Sequence, residues 1–192
     1  MSLAYFEQRE KSLLGDRYET LYTPCRQRAE RGITVNALRA SVQEVAGRMG
    51  ALCEPSPFCP QGLVLLGEQV KPGRHPYYHA GVYYSQEPSA SSAAALLEVQ
   101  PGMRVLDLCA APGGKSSQLG SALGGQGLLV SNEYNASRAE ILKSNLERMG
   151  FPNAVILNES TDHIAEVLPG FFDRVLVDAP CSGEGMFRKE PQ

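Results

Sequence analysis

The stretch that most constrains the fold is an apolar segment that ends in a loop of small residues. Residues 104–108, Arg-Val-Leu-Asp-Leu, are typical of a strand that is buried on both faces of a sheet. The loop at 109–115 is rich in alanine and glycine, which let the backbone approach a bound molecule closely. A helix is expected from about Ser116, with its N-terminal N–H groups facing the loop. This order predicts the first unit of a nucleotide-binding α/β fold.

Two acidic residues follow later strands of the same kind. Glu133 comes after the apolar segment 127–131, about 20 residues beyond the glycines, where a ribose-binding carboxylate is expected. Asp178 ends another apolar segment and precedes Ala-Pro-Cys181. A glycine-rich turn alone is as consistent with a tight corner as with a site, and the two acids favour the site.

Strands and helices alternate through the second half of the chain. We expect strands at 104–109, 127–131, 154–158 and 174–178, and helices at 89–98, 116–124, 135–149 and 161–168. Such alternation predicts a parallel sheet with right-handed crossovers and a site at the carboxyl ends of its strands. The predicted fold class is α/β, with an incomplete Rossmann-like sheet of about four parallel strands.

A small α+β module is expected before this sheet. The pattern predicts a helix at 3–14 that ends at Gly15, and strands at 32–36 and 63–66. It also predicts a helix that is capped by Asn36 and closed by Gly50. The predicted domains are residues 1–80, the module with its linker, and residues 81–192.

Two long motifs resemble those of a known family. The runs Asp107-Leu-Cys-Ala-Ala-Pro-Gly-Gly-Lys115 and Asp178-Ala-Pro-Cys-Ser-Gly-Glu-Gly-Met-Phe-Arg-Lys189 are similar to motifs I and IV of the Sun-related RNA 5-methylcytosine methyltransferases. Within that family, the chain most resembles the bacterial ribosomal RNA members. The resemblance covers residues 55–192 well and the first fifty residues loosely. It implies a class I methyltransferase domain that uses S-adenosylmethionine, preceded by an RNA-binding module.

The resemblance also implies a set of cofactor-binding residues. The 109–115 loop matches the segment that holds the methionine and ribose, with Lys115 either a ligand or a structural cap. Glu133 matches the acid on the ribose hydroxyls, and Asp178 matches an acid near the cofactor and the base. The adenine-side acid of the family falls at Ser160, where Asn158 or Glu159 is an alternative ligand. The implied set is Cys109, Ala110, Ala111, Pro112, Gly113, Gly114, Lys115, Glu133, Ser160 and Asp178.

Methylation of cytosine at carbon 5 requires activation, because that carbon is a poor nucleophile. A thiolate that adds to carbon 6 makes carbon 5 reactive, once the base is flipped out or unpaired. From the residues alone, Cys181 beside Asp178 is the expected nucleophile. The resemblance instead implies that Cys181 assists product release and that the attacking cysteine belongs to a later Thr-Cys motif. Since the sequence ends at Gln192 without that motif, we expect an inactive fragment of a methyltransferase.

The composition limits how the chain could hold RNA. Its net charge of −3 is not typical of a protein covered in basic residues for nucleic acid. Local contacts are therefore expected from the tyrosine-rich segment 71–84, whose rings either stack on unpaired bases or simply pack. An arginine stripe is a second candidate, although it is equally typical of a solvated helix face: Arg26, Arg28, Arg31, Arg39 and Arg48. Small-subunit ribosomal RNA is the implied partner, and transfer RNA is an alternative.

Cysteine usage and hydropathy predict a cytoplasmic protein. The five cysteines are an odd number, and no export signal is visible, which favours reduced thiols. No metal site is expected, and no apolar run is long enough to span a membrane. The last predicted strand, 174–178, would form a sheet edge, which predicts self-association.

Two other functions stay open at this point. The chain could be an RNA- or cofactor-binding module without catalysis. It could also belong to a DNA cytosine-5 methyltransferase that uses Cys181 as its nucleophile.

Overall fold

A computed structural model of the chain describes residues 3–25, 30–67 and 69–180. Residues 31–179 form one compact unit, and the helices α1 (Leu3–Leu14) and α2 (Arg17–Cys25) belong to a second unit. The prediction of α1 is confirmed, and Gly15, with φ of 53°, follows its last residue. Helix α2 was not predicted from the sequence.

The first sheet of the larger unit is antiparallel and has the strand order β2-β3-β1-β4. Its strands are β1 (Arg31–Val35), β2 (Cys53–Pro55), β3 (Gly62–Leu65) and β4 (Tyr83–Gln86). The sequence predicted β1 and β3 and missed the other two. The division of the chain at residue 80 stays a prediction, and β4 carries the first sheet on to Gln86.

Helix α3 (Val42–Met49) covers this sheet and begins later than predicted. Its N-cap is Ser41, whose hydroxyl accepts a hydrogen bond from Glu44 N at 3.2 Å, while Ser41 N donates to Glu44 Oε2 at 2.8 Å. The predicted cap at Asn36 is therefore wrong, because Asn36 closes a turn before the helix through its bond from Leu38 N. Gly50 is the C-cap of α3, as predicted.

The second sheet is parallel and has the order β7-β6-β5-β8, which confirms the predicted α/β class. Its strands are β5 (Arg104–Asp107), β6 (Leu128–Asn132), β7 (Ala154–Leu157) and β8 (Arg174–Leu176). The helices of this half are α5 (Ser92–Leu96), α6 (Gly114–Leu123), α7 (Ala136–Met149) and α8 (Thr161–Val167), and a short α4 (Pro76–His79) precedes β4. No helix in the described ranges is long and apolar enough to cross a membrane.

Both faces of the parallel sheet are covered, as its apolar strands require. Val105 and Leu129, which are partners in the sheet, pack on one face with Leu119 of α6. The next residues along the strands point to the other face, where Leu106 packs with Ile164 of α8. The sheet therefore lies between two helical layers. The loops that follow its strands lie at its carboxyl edge.

A buried asparagine joins the two sheets. The side chain of Asn36 is fully buried, and its Nδ2 donates to the carbonyl oxygens of Gly81 at 3.0 Å and Met149 at 2.9 Å. The backbone of Gly81 lies against that of Arg148, and Arg148 donates to Tyr78 O at 2.7 Å. The C-terminus of α7 is thus fixed to the turn that leads into β4.

The close approach at Gly81 predicts a strong effect of substitution. Gly81 has φ of 67°, and a Cβ there would overlap the carbonyl oxygen of Arg148. We expect Gly81→Ala to lower the free energy of unfolding by roughly 2–4 kcal/mol, from positive-φ strain and overpacking. Urea denaturation measures this change. Gly73→Ala is the matched control, because a Cβ at Gly73 meets nothing within 4 Å, and equal losses in both variants would contradict the interpretation.

Candidate functional site

The loop between β5 and α6 lies at the carboxyl edge of the parallel sheet. Gly113 is the N-cap of α6 and has φ of 111°, a conformation that side-chain-bearing residues rarely adopt. Its N–H donates to Ala110 O at 2.8 Å, and Ala110 N donates to Asn132 O at 2.8 Å. The loop is therefore a tight turn that is fastened to the end of β6.

Three side chains from outside the loop bind its carbonyl groups. Pro112 O accepts from Asn145 Nδ2 at 2.8 Å and from the Tyr84 hydroxyl at 3.3 Å. Ala111 O accepts from Arg138 Nη2 at 2.9 Å. Sequence reasoning missed all three donors, because they lie 27 to 33 residues away from the carbonyls that they bind.

Glu133 is placed beside this loop, as predicted. Its residue exposure is only 5%, and its Oε1 accepts from Asn135 N at 3.0 Å. Its Oε2 lies 3.3 Å from Arg138 Nη1, so that Arg138 connects the carboxylate to the loop carbonyl. Asn158 Nδ2 donates to the backbone oxygens of Glu133 at 2.7 Å and Tyr134 at 2.9 Å, which fixes the backbone of this acid.

Asp107 is a second buried acid at the site, and the sequence analysis assigns it no role. Its Oδ2 accepts from the Ser116 hydroxyl at 2.7 Å, and Ser131 donates to Ser116 Oγ at 2.9 Å. Its Oδ1 is buried and has no hydrogen-bond partner. Burial raises the pKa of Asp107 to about 6, against the lowering effects of Ser116 and Lys115. The only signal in the sequence was its place at the start of the motif.

Lys115 and Asp178 form an ion pair across the site. Lys115 lies in the first turn of α6, and its Nζ is 2.6 Å from Oδ2 of Asp178, which follows β8. The Asp178 side chain is 55% exposed, so this carboxylate faces solvent as well as the lysine. The pair supports a capping role for Lys115. Cys181, the other predicted catalytic residue, lies outside the described residues.

The thiol of Cys109 is not suited to nucleophilic attack at neutral pH. Burial raises its pKa, and the negative charges of Glu133, Asp107 and Asp178 raise it further. The thiolate is the reactive form of cysteine, and this environment disfavours it. The structure therefore does not favour Cys109 as a nucleophile, and its contact with the cofactor stays a prediction.

The predicted adenine-side residues have separate tasks. The Ser160 hydroxyl accepts from His163 N at 3.2 Å and caps α8. Asn158 holds the backbone after β6, as described above. The side chain of Glu159 is exposed, while its N–H donates to Asn132 Oδ1 at 3.0 Å. All three lie at the end of β7, and their contact with adenine stays a prediction.

The segment with the tyrosines is largely packed. Tyr83 and Tyr84 are 0% and 8% exposed, which excludes them from stacking on bases. Tyr77 and Tyr78 are half-buried, with Arg48 lying 5.6 Å from the ring centroid of Tyr77 and Arg148 lying 4.0 Å from that of Tyr78.

The arginines of the predicted stripe differ in their environments. Arg31 donates to the carbonyl oxygens of Gly67 and Val70, and it therefore serves the fold. Arg39 and Arg48 are exposed. Arg26 and Arg28 lie outside the described residues. Among the residues that the structure describes, no group of three or more His, Cys, Asp and Glu side chains is arranged to hold a metal ion.

Comparison with known families places this site in context. Residues 94–192 match the family model of the 16S rRNA methyltransferase RsmB/F, and residues 4–88 match that of the N-terminal domain of RsmF. The chain belongs to the RsmB/F methyltransferase family. Members of this family use S-adenosylmethionine as the methyl donor.

The curated relatives of this chain carry names that are consistent with this family. The ribosomal RNA small subunit methyltransferase F of Pectobacterium atrosepticum is 37% identical over 182 residues, which are 90% of this chain and 37% of that protein. The protein of the same name from Vibrio vulnificus strain YJ016 is 38% identical over 173 residues, 86% of this chain and 37% of the relative. The chain thus spans little more than a third of the length of these curated relatives.

Solved structures show the same fold. A methyltransferase homolog from Pyrococcus horikoshii superposes with a TM-score of 0.84 at 30% identity, over 95% of this chain and 61% of that one. NSun6 from Pyrococcus horikoshii with SFG has a TM-score of 0.78 at 17% identity, over 91% and 70% of the two chains. The second likeness concerns the fold alone.

The raised pKa of Asp107 predicts a pH-dependent stability. The folded protein binds the Asp107 proton more tightly than the unfolded chain, so this acid destabilises the fold as pH rises from about 4 through 6. Between pH 4 and 7.5 the stability of Asp107→Asn should rise relative to wild type by roughly 2–2.5 kcal/mol. Denaturant titrations across this range measure the difference. Asp16→Asn, at an exposed position, is the control, and parallel profiles for wild type and Asp107→Asn would contradict the prediction.

Proposed function

We propose that this chain carries the S-adenosylmethionine site of an RNA cytosine-5 methyltransferase that acts on small-subunit ribosomal RNA. The observation that carries the proposal is the convergence of the 109–115 loop, Glu133 and Asp178 at the carboxyl edge of a parallel sheet. Family membership and the names of the curated relatives support RNA as the substrate. They also favour RNA over the alternative of a DNA substrate.

The residues at the edge of the sheet fit this cofactor chemically. The glycines at 113 and 114 leave the loop without side chains beyond Cα, and the buried Glu133 carboxylate can accept hydrogen bonds from ribose hydroxyls. Asp107 Oδ1, which lacks a partner, can accept from a cationic amino group. When bound, S-adenosylmethionine supplies an electrophilic methyl group. We assign its binding to the loop, Glu133 and the 158–160 segment, with Asp178 shared between cofactor and base.

The residues near the base have distinct roles in this proposal. Asp178 is exposed just beyond β8, and its ion pair with Lys115 orients the carboxylate. In the proposed role it accepts a hydrogen bond from the exocyclic amine of cytosine. We assign Cys181 the role that its motif implies, which is to assist release of the product. Burial raises the pKa of Cys109, so we assign this thiol no covalent step.

The proposal also concerns partners and location. Arg39 and Arg48 are the exposed members of the predicted stripe and are assigned to RNA phosphates. Transfer RNA is the alternative substrate, and a ribosomal RNA substrate would place the protein in the cytoplasm. Val175 and Val177, at and just beyond β8, are 47% and 57% exposed, which supports the predicted self-association through the edge of the described sheet.

The cofactor site is tested by calorimetric titration of the chain with S-adenosylmethionine. We expect saturable binding that Glu133→Ala weakens by roughly 10- to 100-fold, the usual effect of losing hydrogen bonds to a charged group. Glu140→Ala is the matched control, because Glu140 is an exposed glutamate on α7. Circular dichroism shows whether each variant is folded. A folded wild-type chain that does not bind, or equal weakening by both variants, would contradict the site.

The RNA surface is tested by filter binding to small-subunit ribosomal RNA at several salt concentrations. The double variant Arg39→Gln, Arg48→Gln should bind several-fold more weakly. It should also lower the slope of log K against log salt by roughly 1.4, for two lost phosphate contacts on single-stranded RNA. Lys143→Gln on α7 is the control for a general loss of positive charge. An unchanged slope in the double variant would remove these arginines from the interface.

A further inference from the structure

Two adjacent tyrosines on β4 connect different parts of the protein. Tyr83 is buried in the core of the first sheet, and its hydroxyl donates to Pro72 O at 2.9 Å. Tyr84 points to the opposite side, where its ring packs with Leu142 and Leu146 of α7. Its hydroxyl donates to Pro112 O in the 109–115 loop at 3.3 Å. One strand of the first sheet thus contacts the loop that follows β5.

Gln86, two residues further along β4, contacts the same loop. A Cβ built at Gly114 would lie 2.5 Å from Gln86 Oε1, so the glycine is what permits this approach. Gln86 Nε2 donates to Gln118 Oε1 at 3.4 Å, and Gln118 Nε2 donates to Ser91 O at 3.0 Å. The carboxyl end of β4 is therefore fitted against the first turn of α6.

The loop depends on such outside contacts because of its composition. Between Cys109 and Lys115 every residue is alanine, proline or glycine, and these side chains offer no hydrogen-bonding groups of their own. Glycines also add conformational freedom that must be removed when the loop takes one shape. Pro112 O is bound by donors from two elements, Tyr84 of β4 and Asn145 of α7. These donors restrict the peptide that precedes Gly113.

We propose that Tyr84 is a positioning residue for S-adenosylmethionine and that the first sheet is, through it, a structural part of the cofactor site. Tyr84 acts on the loop through the Pro112 carbonyl and does not touch the cofactor. This inference rests on the proposed function of the loop. A consequence is that ligands of the first sheet that shift β4 also change cofactor affinity, and the coupling is reciprocal.

The chain provides a matched pair of variants for the test. Tyr84→Phe and Tyr83→Phe each remove one hydroxyl that donates to a proline carbonyl, and each keeps the packed ring. The Tyr84 hydroxyl contacts the 109–115 loop, and the Tyr83 hydroxyl does not. We expect Tyr84→Phe to weaken binding of S-adenosylmethionine about 2- to 10-fold, and Tyr83→Phe to leave it within about 2-fold.

Amide hydrogen exchange of the cofactor-free chain provides a second readout. Tyr84→Phe should accelerate exchange at Gly113 N, which donates to Ala110 O, without accelerating exchange in β6. A purely structural role would instead lower protection in both places. Asn145→Ala removes the other donor to Pro112 O and should reproduce the effect, even where Tyr84→Phe folds poorly.

The outcomes separate this inference from the proposed function. Faster loop exchange together with weaker binding in Tyr84→Phe supports the positioning role. Unchanged loop exchange in both Tyr84→Phe and Asn145→Ala overturns it, and so does faster exchange with unchanged affinity. A wild-type chain that is folded and does not bind S-adenosylmethionine overturns the proposed cofactor site and the positioning role together, whereas normal wild-type binding confines any failure to Tyr84.

Discussion

The amide group of Asn36 is the contact on which the arrangement of the two sheets depends. It lies where β1 ends, and it binds one carbonyl before β4 and another at the end of α7. These two elements also carry Tyr84 and Asn145, the side chains that hold the Pro112 carbonyl. The geometry of a buried joint is thereby transmitted to the loop at the carboxyl edge of the parallel sheet. A side chain in such a joint must satisfy every buried carbonyl that it meets, since an unpaired one costs about 1–3 kcal/mol.

The electrostatics of the site favour a cationic ligand. Asp107, Glu133 and Asp178 surround the loop, and Lys115 and Arg138 are the cations that pair with two of them. Asp107 has no such partner, and its raised pKa reflects the desolvation of a carboxylate with an orphan oxygen. A bound positive charge relieves this desolvation penalty, because an opposite charge favours the ionised form of an acid. S-adenosylmethionine carries both a sulfonium and an amino group, which matches this unbalanced set of carboxylates.

The sequence predicted those features that are written in local patterns. The apolar runs of β5, β6 and β7 and the glycines of the loop define the parallel sheet and the position of its site. The features that were missed depend on partners far along the chain. Strand β4, Tyr-Tyr-Ser-Gln, has little apolar alternation and becomes a strand by pairing with β1, while β2 ends in a proline at a sheet edge. Asn36 is not a helix cap, although its side chain accepts from the N–H of Leu38, two residues later. Asparagine makes this hydrogen bond both at helix caps and in turns, so the sequence does not distinguish the two.

The same distinction applies within the site. The acids at strand ends were predictable, because parallel strands bring their carboxyl ends to one edge. Their counterions were not, since Arg138 reaches Glu133 and Ala111 only in the folded geometry of α7. The loop is consequently held on two sides, by donors to Ala111 and Pro112 and by the ion pair between Lys115 and Asp178. In the proposed function, a base that binds Asp178 competes with Lys115 for the carboxylate. The proposal therefore links occupation of the base site to the conformation of the 109–115 loop through this one ion pair.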